Sequence, residues 1–306
     1  MNACEKWRDL NSPLPWVKAF NDLVRNSPLP TLNGREVIVA TDSSGLHRQS
    51  RFEVLGIVIF DFDSSTQWEV LRQSVRREFL KDSRRMAFKK LSESVRQRAL
   101  VPFLRAADKM HGLCLCAAVN KQIDMLGGGR SMFEQLIRGK ILKASWTFES
   151  FERMARMTHF VSLLIAGLCS EGQNVCWISD EDEMFESPQK SEDTLRLLTT
   201  FQRMYVKWPL GKLHAGTTKL DEGDRLEEDL AAIADLAAGA FGELVMKLKP
   251  NSDGCVIEAT TDELLSDVSR KSDVLLSWLT DNTQVLKRIA LIFERRADGK
   301  FRVARL

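Results

Sequence analysis

The amino-acid sequence predicts an α/β fold in which one mixed β-sheet carries helices on both faces. Short apolar runs of strand length alternate with longer segments of helical periodicity. A short polar loop joins the first two strand runs, which favours an antiparallel hairpin, whereas helices separate the later runs, which favours parallel pairing. Two strand runs end abruptly in carboxylates, at Asp42 and Asp180. The sheet is therefore expected to combine antiparallel and parallel strands.

Length and composition suit a protein that buries a large core. The chain has 306 residues and a mass of 34.8 kDa, with 44% apolar and 28% charged residues. No apolar run approaches the roughly 20 residues that a membrane-spanning helix needs. The first residues of the chain are too charged for a signal peptide. We therefore expect a cytoplasmic protein that has no association with a membrane.

Cysteine and histidine usage argues against a disulfide scaffold and against a zinc site. Of the six cysteines, Cys114 and Cys116 alternate along an apolar run and should face one side of a strand. They lack the two-residue gap of a zinc knuckle. The four histidines are scattered without metal-ligand spacing. We expect the cysteines to be reduced core residues.

Residues 1–35 are predicted to wrap around the main domain. Two Ser-Pro-Leu-Pro segments, at residues 12–15 and 27–30, flank one short amphipathic helix. The main domain is expected to span residues 36–250, with a helical insertion at about residues 66–110, between the second and third strands.

The first strand is predicted from the β-branched run at residues 37–39. Asp42 follows it, in a polar turn that ends at Gly45. A carboxylate at the end of a buried strand is costly unless a positive charge lies beside it, and a divalent metal ion is the strongest such partner. Asp42 is therefore the first candidate metal ligand. The alternative is an aspartate that caps an ordinary turn.

The insertion that follows the second strand, residues 52–62, is strongly basic. Helical patterns cover residues 68–80 and 86–107. Its cations are Arg72, Arg76, Arg77, Lys81, Arg84, Arg85, Lys89, Lys90, Arg96, Arg98, Arg105 and Lys109. A basic surface near an acidic pocket suits an enzyme that acts on a polyanion. A solvated helical face would have the same composition, so both interpretations stay open.

The remaining elements alternate along the chain. A third strand is expected at residues 111–119, a long apolar helix at 148–168, a fourth strand at 174–179, a helix at 193–205 and a fifth strand at 212–217. The fourth strand ends in four consecutive acids that begin with Asp180. A second buried strand therefore leads directly into carboxylates.

A helix at residues 225–248 carries many alanines and glycines, which permit close approach to a neighbour. Asp235 is the lone carboxylate of this small-residue surface, and an acid within a packing face needs a partner. Residues 251–306 should form an α+β extension, with a helix at 261–279 and a hairpin at 287–304. This extension either completes the sheet or mediates assembly.

The predicted order of strands and helices is that of the ribonuclease H fold with a helical insertion. In that arrangement the first and fourth strands are parallel neighbours, so Asp42 and Asp180 leave the sheet side by side, and a later helix brings Asp235 alongside. Carboxylates without cysteine or histidine suit Mg²⁺ or Mn²⁺. Two such ions would be bridged by Asp42, with Asp180 on one ion and Asp235 on the other.

Three motifs carry a resemblance to a bacterial ribonuclease H-like family that is labelled only as a domain of unknown function. The turn DSSG at residues 42–45, the acidic end of the fourth strand and the run ADLAAGA at residues 234–240 resemble its Asp-x-Ser-Gly and Ala-Asp-Leu-x-Ala-Gly signatures. The resemblance covers roughly residues 36–248 and implies a metal-dependent nuclease. That family often has Glu after its first Asp, where this chain has Ser43, so the number of ligands stays open.

Further site residues are candidates on weaker grounds. A fourth metal ligand could be Asp182, Glu228, Asp229 or Glu78. The segment at residues 84–91 resembles a basic motif of some relatives. The candidate nucleic-acid contacts are Ser44, Arg84, Arg85, Lys89 and Lys90.

The expected function is hydrolysis of DNA or RNA phosphodiesters by a two-metal carboxylate site, with nucleic acid as the partner. The alternative is a non-catalytic nucleic-acid-binding or assembly module of the same fold. A third possibility is hydrolysis of a small nucleotide. The C-terminal extension could make the protein a homo-oligomer or bind a protein partner.

Overall fold

The computed structural model describes residues 14–47, 49–123, 129–180, 183–221, 223–248, 268–299 and 301–306. Within these residues, seven strands form one sheet in the order β5-β4-β1-β2-β3-β6-β7. The strands are β1 (Glu36–Ser44), β2 (Phe52–Asp61), β3 (His111–Asn120), β4 (Asn174–Ser179), β5 (Leu213–Thr217), β6 (Lys287–Arg295) and β7 (Phe301–Arg305).

Eight α-helices accompany the sheet in the described part of the chain. They are α1 (Pro15–Arg25), α2 (Thr66–Phe79), α3 (Ser94–Ala107), α4 (Gly129–Arg138), α5 (Phe148–Leu168), α6 (Pro188–Tyr205), α7 (Leu226–Lys247) and α8 (Arg270–Thr280). The prediction of an α/β fold with a mixed sheet is confirmed.

Strand directions follow from the connections. β1 and β2 form the expected antiparallel hairpin, and β3 continues it antiparallel to β2. β4 pairs parallel with β1, and β5 pairs parallel with β4. The carboxyl ends of β1, β4 and β5 therefore lie at one edge of the sheet, where side chains from three separate chain segments meet.

Alternating residues of β1 divide the core into two layers. Ile38 and Ala40 pack with helices α2, α3, α7 and α8 on one face, which we call the α7 face. Val37 and Val39 pack with helices α1, α5 and α6 on the other face, the α5 face. Because a strand's side chains alternate between faces, Asp42 lies on the α7 face with Ala40. Helices on both faces were predicted and are found.

The insertion differs from its predicted form at residues 86–93. A helical pattern over residues 86–107 was expected, but α3 begins only at Ser94, and Phe88–Lys90 forms a single 3₁₀ turn. The backbone of this segment makes tertiary hydrogen bonds instead. The Arg85 carbonyl accepts a bond from Arg96 Nε at 2.8 Å, and the Phe88 N–H donates to Asp235 Oδ2 at 2.7 Å. These contacts outweigh the helical periodicity.

Two further helices differ from expectation. No helix was predicted between the third strand and residue 148, but α4 begins at Gly129, and residues 124–128 lie outside the described residues. Helix α6 begins at Pro188 rather than at Asp193. Its start is set by Ser187, whose hydroxyl accepts a hydrogen bond from the Lys190 N–H.

The C-terminal extension completes the sheet. β6 pairs parallel with β3, and β7 pairs antiparallel with β6. Buried Arg288 of β6 forms an ion pair with Asp108 at the end of the insertion and lies 4.4 Å from the Trp278 ring of α8. The predicted helix at residues 261–279 corresponds to α8 from Arg270 onward, and its first part, residues 261–267, lies outside the described residues.

The expected N-terminal wrap is described from residue 14 onward. Trp16 and Phe20 of α1 are buried on the α5 face, where Trp16 packs edge-on against His159 at 4.8 Å. Burial lowers the pKa of His159 to about 3, so this histidine is a neutral core residue. Among the helices of the described residues, none combines the length and the apolar character needed to cross a bilayer.

The cysteines of the described residues are free thiols, as predicted. Cys114, Cys116 and Cys169 are buried, and Cys176 is half-buried. Cys114 and Cys116 point into the same core layer from β3.

Candidate functional site

The parallel pairing of β1 and β4 places two aspartates side by side. Thr41 pairs with Ser179 in register, so Asp42 and Asp180 are the next residues of the two strands. The Asp180 N–H donates to the Thr41 carbonyl at 3.3 Å, which continues the ladder by one bond. Ile178 packs in the α7-face core, so Asp180 at the alternate position points to the same side as Asp42.

Helix α7 brings the third aspartate to this edge of the sheet. Gly56 of β2 lies opposite Asp42 in the hairpin, and a Cβ at Gly56 would stand 2.3 Å from the Ala234 carbonyl oxygen. Only a residue without a side chain lets β2 and α7 approach so closely. The approach occurs one residue before Asp235. Asp42, Asp180 and Asp235, which we call the aspartate cluster, therefore lie together, as the sequence predicted.

Asp42 occupies a strongly unfavourable environment for a negative charge. Burial, the charge of Asp235 and then that of Asp180 raise the pKa of Asp42 to about 8. The Ser43 N–H, which donates to Asp42 Oδ1 at 2.6 Å, acts in the opposite direction. Among the described residues, the charge of Arg85 also lowers the pKa of Asp42 but does not offset burial and the two neighbouring carboxylates.

Asp235 is half-buried, and its burial raises its pKa. The Phe88 N–H hydrogen bond and the charges of Arg85 and Lys89 lower it. A further glycine makes this hydrogen bond possible. A Cβ at Gly239 would lie 2.3 Å from the Phe88 ring, so the ring of Phe88 packs directly on the α7 backbone.

Asp180 is held by Arg85 in a bidentate ion pair. Arg85 Nη1 and Nη2 donate to the two carboxylate oxygens at 2.9 and 2.6 Å. The Thr218 hydroxyl donates to Asp180 Oδ1 at 3.2 Å. The hydrogen bond to Asp180 raises the pKa of Arg85, and the charges of Asp235 and Asp42 act in the same direction. One guanidinium is thus shared electrostatically by the whole aspartate cluster.

The carboxylate oxygens of the aspartate cluster do not converge on one point. In the described part of the chain, the carboxylates whose oxygens all lie within 4.8 Å of one another are those of Asp221, Asp224 and Glu227. Mutual repulsion and the pull of Arg85 on Asp180 account for the wider spacing of the aspartate cluster. A shared ligand would have to draw its three carboxylates inward.

The cluster of Asp221, Asp224 and Glu227 lies at the start of α7 and was not predicted. Asp221 accepts hydrogen bonds from the N–H groups of Gly223 and Arg225, and these lower its pKa although burial acts against them. Burial raises the pKa of Glu227. Acids at a helix N-terminus are favoured by the helix dipole, so this cluster fits a capping role. The acidic run at residues 221–229 was its signal in the sequence.

Three of the four candidate fourth ligands, Asp229, Glu228 and Glu78, do not join the aspartate cluster. Asp229 is fully buried and accepts hydrogen bonds from Arg76 at 2.6 and 2.7 Å and from Arg72 at 3.1 Å. Glu228 pairs with Arg225 at 2.6 Å. Glu78 is exposed on α2, and Asp182 lies outside the described residues. The structure places two arginines of the insertion, Arg72 and Arg76, beside Asp229.

The predicted nucleic-acid contacts other than Arg85 lie in three different settings. Arg84 pairs with Asp82 and Glu93 on the surface. Lys89 and Lys90 are exposed on the 3₁₀ turn beside Asp235. Ser44 lies at the end of β1, where Gly242 leaves room for its hydroxyl, because a Cβ at Gly242 would be 3.2 Å from Ser44 Oγ.

Lys271 of α8 is a site residue that sequence reasoning missed. Its ammonium group donates to the Phe88 carbonyl at 3.1 Å and lies 4.0 Å from the centre of the Phe88 ring. The C-terminal extension thereby fixes the segment that carries Arg85, Lys89 and Lys90. Nothing in the local pattern around Lys271 indicates this contact, because it joins residues 183 positions apart.

Comparison with models of known protein families finds no family that matches this chain, and comparison with curated proteins finds no significant match. The chemistry of the site therefore rests on its own geometry.

The donor set of the aspartate cluster fits a hard divalent cation. All of its candidate ligand atoms are carboxylate oxygens, which Mg²⁺ and Mn²⁺ prefer. Burial and the charges of Asp235 and Asp180 raise the pKa of Asp42, and a bound cation would favour its ionised form. Exposed Lys89 and Lys90 provide a positive rim beside this acidic site.

Proposed function

We propose that the protein is a metal-dependent phosphodiesterase that acts on DNA or RNA. The observation that carries the proposal is the convergence of Asp42, Asp180 and Asp235, from two strand ends and a helix, at one partly buried edge of the sheet with a surplus of negative charge. Perturbed carboxylates gathered from distant parts of a chain are typical of functional sites.

The order of the central strands supports a ribonuclease H-like assignment. β3-β2-β1-β4-β5 combines an antiparallel meander with a parallel section. This is the order expected from the sequence for that fold, with β6 and β7 added beyond β3. The motif resemblances at residues 42–45 and 234–240 fall on two of the three segments that form the aspartate cluster.

The three aspartates would hold two Mg²⁺ or Mn²⁺ ions. Asp42 would be a ligand together with Asp235 and Asp180, whose charges both raise its pKa. Bound ions would polarise the phosphodiester, generate the attacking hydroxide and stabilise the leaving oxygen. The chain itself contributes the ligand oxygens, the burial that strengthens electrostatic interactions, and the Phe88 N–H that orients Asp235.

Lys89 and Lys90 would bind phosphates that flank the reacting one. They are exposed, and the charge of Lys89 reaches Asp235. Contacts of this kind are independent of base sequence and sensitive to salt. Lys89 and Lys90 lie on the same 3₁₀ turn as Phe88, whose N–H donates to Asp235. Phosphate binding by these lysines would therefore take place beside the aspartate cluster.

The second candidate is a non-catalytic nucleic-acid-binding or assembly module. The bidentate Arg85–Asp180 pair favours it, because a carboxylate already neutralised by arginine has less need of a metal ion. Metal binding separates the two candidates.

Titration calorimetry with Mn²⁺ tests the proposal. The wild type should bind Mn²⁺. Loss of a residue that only holds a metal ligand in place lowers metal affinity by about 10- to 100-fold, and Asp42→Asn should lower it by more because it removes a ligand. Glu78→Gln is the matched control, since it removes an exposed carboxylate outside the site. Absence of Mn²⁺ binding by the wild type would refute the enzyme proposal.

Labelled oligonucleotides then identify the substrate. Cleavage of single-stranded, double-stranded and hybrid substrates in Mg²⁺ or Mn²⁺ should rise with length and disappear in Asp42→Asn. Turnover that is independent of length would indicate a small nucleotide as the substrate instead.

A further inference from the structure

Arg85, a predicted nucleic-acid contact, is already paired with a carboxylate of the aspartate cluster. It lies in the segment between α2 and α3, and among the described residues its side-chain hydrogen bonds go to Asp180. Both side chains of the pair are only partly exposed, at 30% for Arg85 and 24% for Asp180. A bidentate guanidinium–carboxylate pair is among the stronger ion pairs. The candidate ligand Asp180 is therefore already engaged.

The charges around Arg85 do not balance. One guanidinium faces the three carboxylates of the aspartate cluster, with Asp180 in direct contact and Asp235 and Asp42 nearby. By contrast, Asp229 elsewhere on α7 is matched by both Arg72 and Arg76. A divalent cation carries twice the charge of Arg85 and would compete for the same oxygens.

The backbone of Arg85 is fixed by contacts other than the ion pair that holds its side chain. Its carbonyl accepts a hydrogen bond from Arg96, and three residues later the Phe88 N–H is bound to Asp235. Lys271 holds the Phe88 carbonyl. The guanidinium can leave Asp180 by rotation of its own side chain, without disturbing these backbone bonds.

We propose that Arg85 is a displaceable internal counter-cation: it neutralises Asp180 in the metal-free protein, competes with the divalent ion for that carboxylate, and once displaced binds a phosphate oxygen of the substrate. This inference rests on the proposed metal-dependent function. Arginine suits both states, because its planar fork matches carboxylate and phosphate geometry equally well.

Calorimetry of Mn²⁺ binding to Arg85→Met tests the competition. Removal of a competing cation should tighten Mn²⁺ binding by about 3- to 10-fold, the effect expected from a bidentate ion pair of this exposure. Arg85→Lys keeps the charge without the fork and should give an intermediate value. Arg196→Met is the matched control, since Arg196 forms an exposed ion pair with Glu192 on α6, on the α5 face.

The outcomes are distinguishable. Equal or weaker Mn²⁺ binding by both Arg85 variants, with folding verified by circular dichroism, would overturn the counter-cation role while leaving the proposed function intact. Failure of the wild type and of both variants to bind Mn²⁺ would overturn the proposed function itself.

Oligonucleotide binding tests the second half of the inference. In Ca²⁺, which favours oxygen ligands, Arg85→Met should bind a single-stranded oligonucleotide about 5- to 20-fold more weakly than the wild type, because a charge-assisted phosphate contact is lost. Arg196→Met should bind as the wild type does. Unchanged oligonucleotide affinity in Arg85→Met would exclude the phosphate contact.

Discussion

Helix α7 carries two aspartates, buried Asp229 and half-buried Asp235, less than two turns apart and in opposite electrostatic settings. Asp229 meets two arginines of α2, with Arg76 bidentate and Arg72 almost completely buried. Asp235 meets a backbone N–H and shares the single charge of Arg85 with two other carboxylates. A carboxylate that is matched by fixed cations holds the fold together. A carboxylate that shares one guanidinium with two others, as Asp235 does, is not matched in this way.

The two parts of the insertion have different roles. Its first helix, α2, supplies the arginines that lock the start of α7 in place. The segment that follows supplies Arg85, Phe88 and Lys89 to the aspartate cluster. The basic character seen in the sequence therefore serves both structure and the candidate site.

The largest expected effect is on stability, and it falls on Asp229. Asp229→Asn leaves Arg72 and Arg76 without their buried partner and should lower the free energy of unfolding by about 3–5 kcal/mol. Asp235→Asn, the matched control on the same helix, should cost little or raise stability, because the amide oxygen still accepts the Phe88 N–H bond without a buried charge. Urea unfolding in EDTA measures both. Equal losses would show that the two aspartates do not differ as argued.

A second effect should appear in the pH dependence of stability. Asp42 has a pKa of about 8 when folded, above the ordinary value of an aspartate, so the native state binds the extra proton. Its stabilising contribution is complete below about pH 4 and is lost as the pH rises towards 8. Asp42→Asn removes this loss, so its stability advantage over the wild type should grow by up to about 1.4 kcal/mol per pH unit between pH 5 and 8.

The measurement is urea unfolding in EDTA at several pH values between 5 and 8. Glu78→Gln should keep the wild-type pH dependence, because Glu78 is an exposed carboxylate on α2. A constant difference between Asp42→Asn and the wild type across this range would contradict the crowded charge environment assigned to Asp42.

The smallest expected effect is on the salt dependence of nucleic-acid binding by Lys89 and Lys90. Lys89→Glu with Lys90→Glu should reduce the slope of log affinity against log salt by about 1–2, because up to two phosphate contacts are lost. Binding isotherms with a labelled oligonucleotide at several salt concentrations measure the slope. Lys18→Glu with Arg203→Glu, exposed cations of α1 and α6, should change the slope less. Equal slopes for the two double variants would make Lys89 and Lys90 a solvated surface.

Much of the fold could be predicted from local patterns. The limits of α5 and β4 match their predicted bounds, because long apolar periodicity and a short apolar run have clear ends. The helix expected over residues 86–107 was partly wrong, because tertiary bonds at Arg85 and Phe88 replace the first turns. Local periodicity cannot report a hydrogen bond to a residue 147 positions away.

The candidate site could likewise be predicted only where its residues carry a local signal in the sequence. Asp42 and Asp180 end apolar strand runs and Asp235 is the lone acid of a small-residue helix face, so each has a local signal. Arg84 and Arg85 have identical local signals, yet one pairs with surface acids and the other with Asp180. Asp229 and Lys271 likewise depend on contacts between distant elements.

The sequence by itself determined the alternation of strands and helices, because burial on a strand or helix requires a period that can be read residue by residue. It also determined that acids follow two buried strands. Only the tertiary structure decided which of those acids meet fixed arginines and which share one. Charge pairing depends on distances between segments far apart in the chain and on the water excluded between them, and neither quantity is carried by a local pattern.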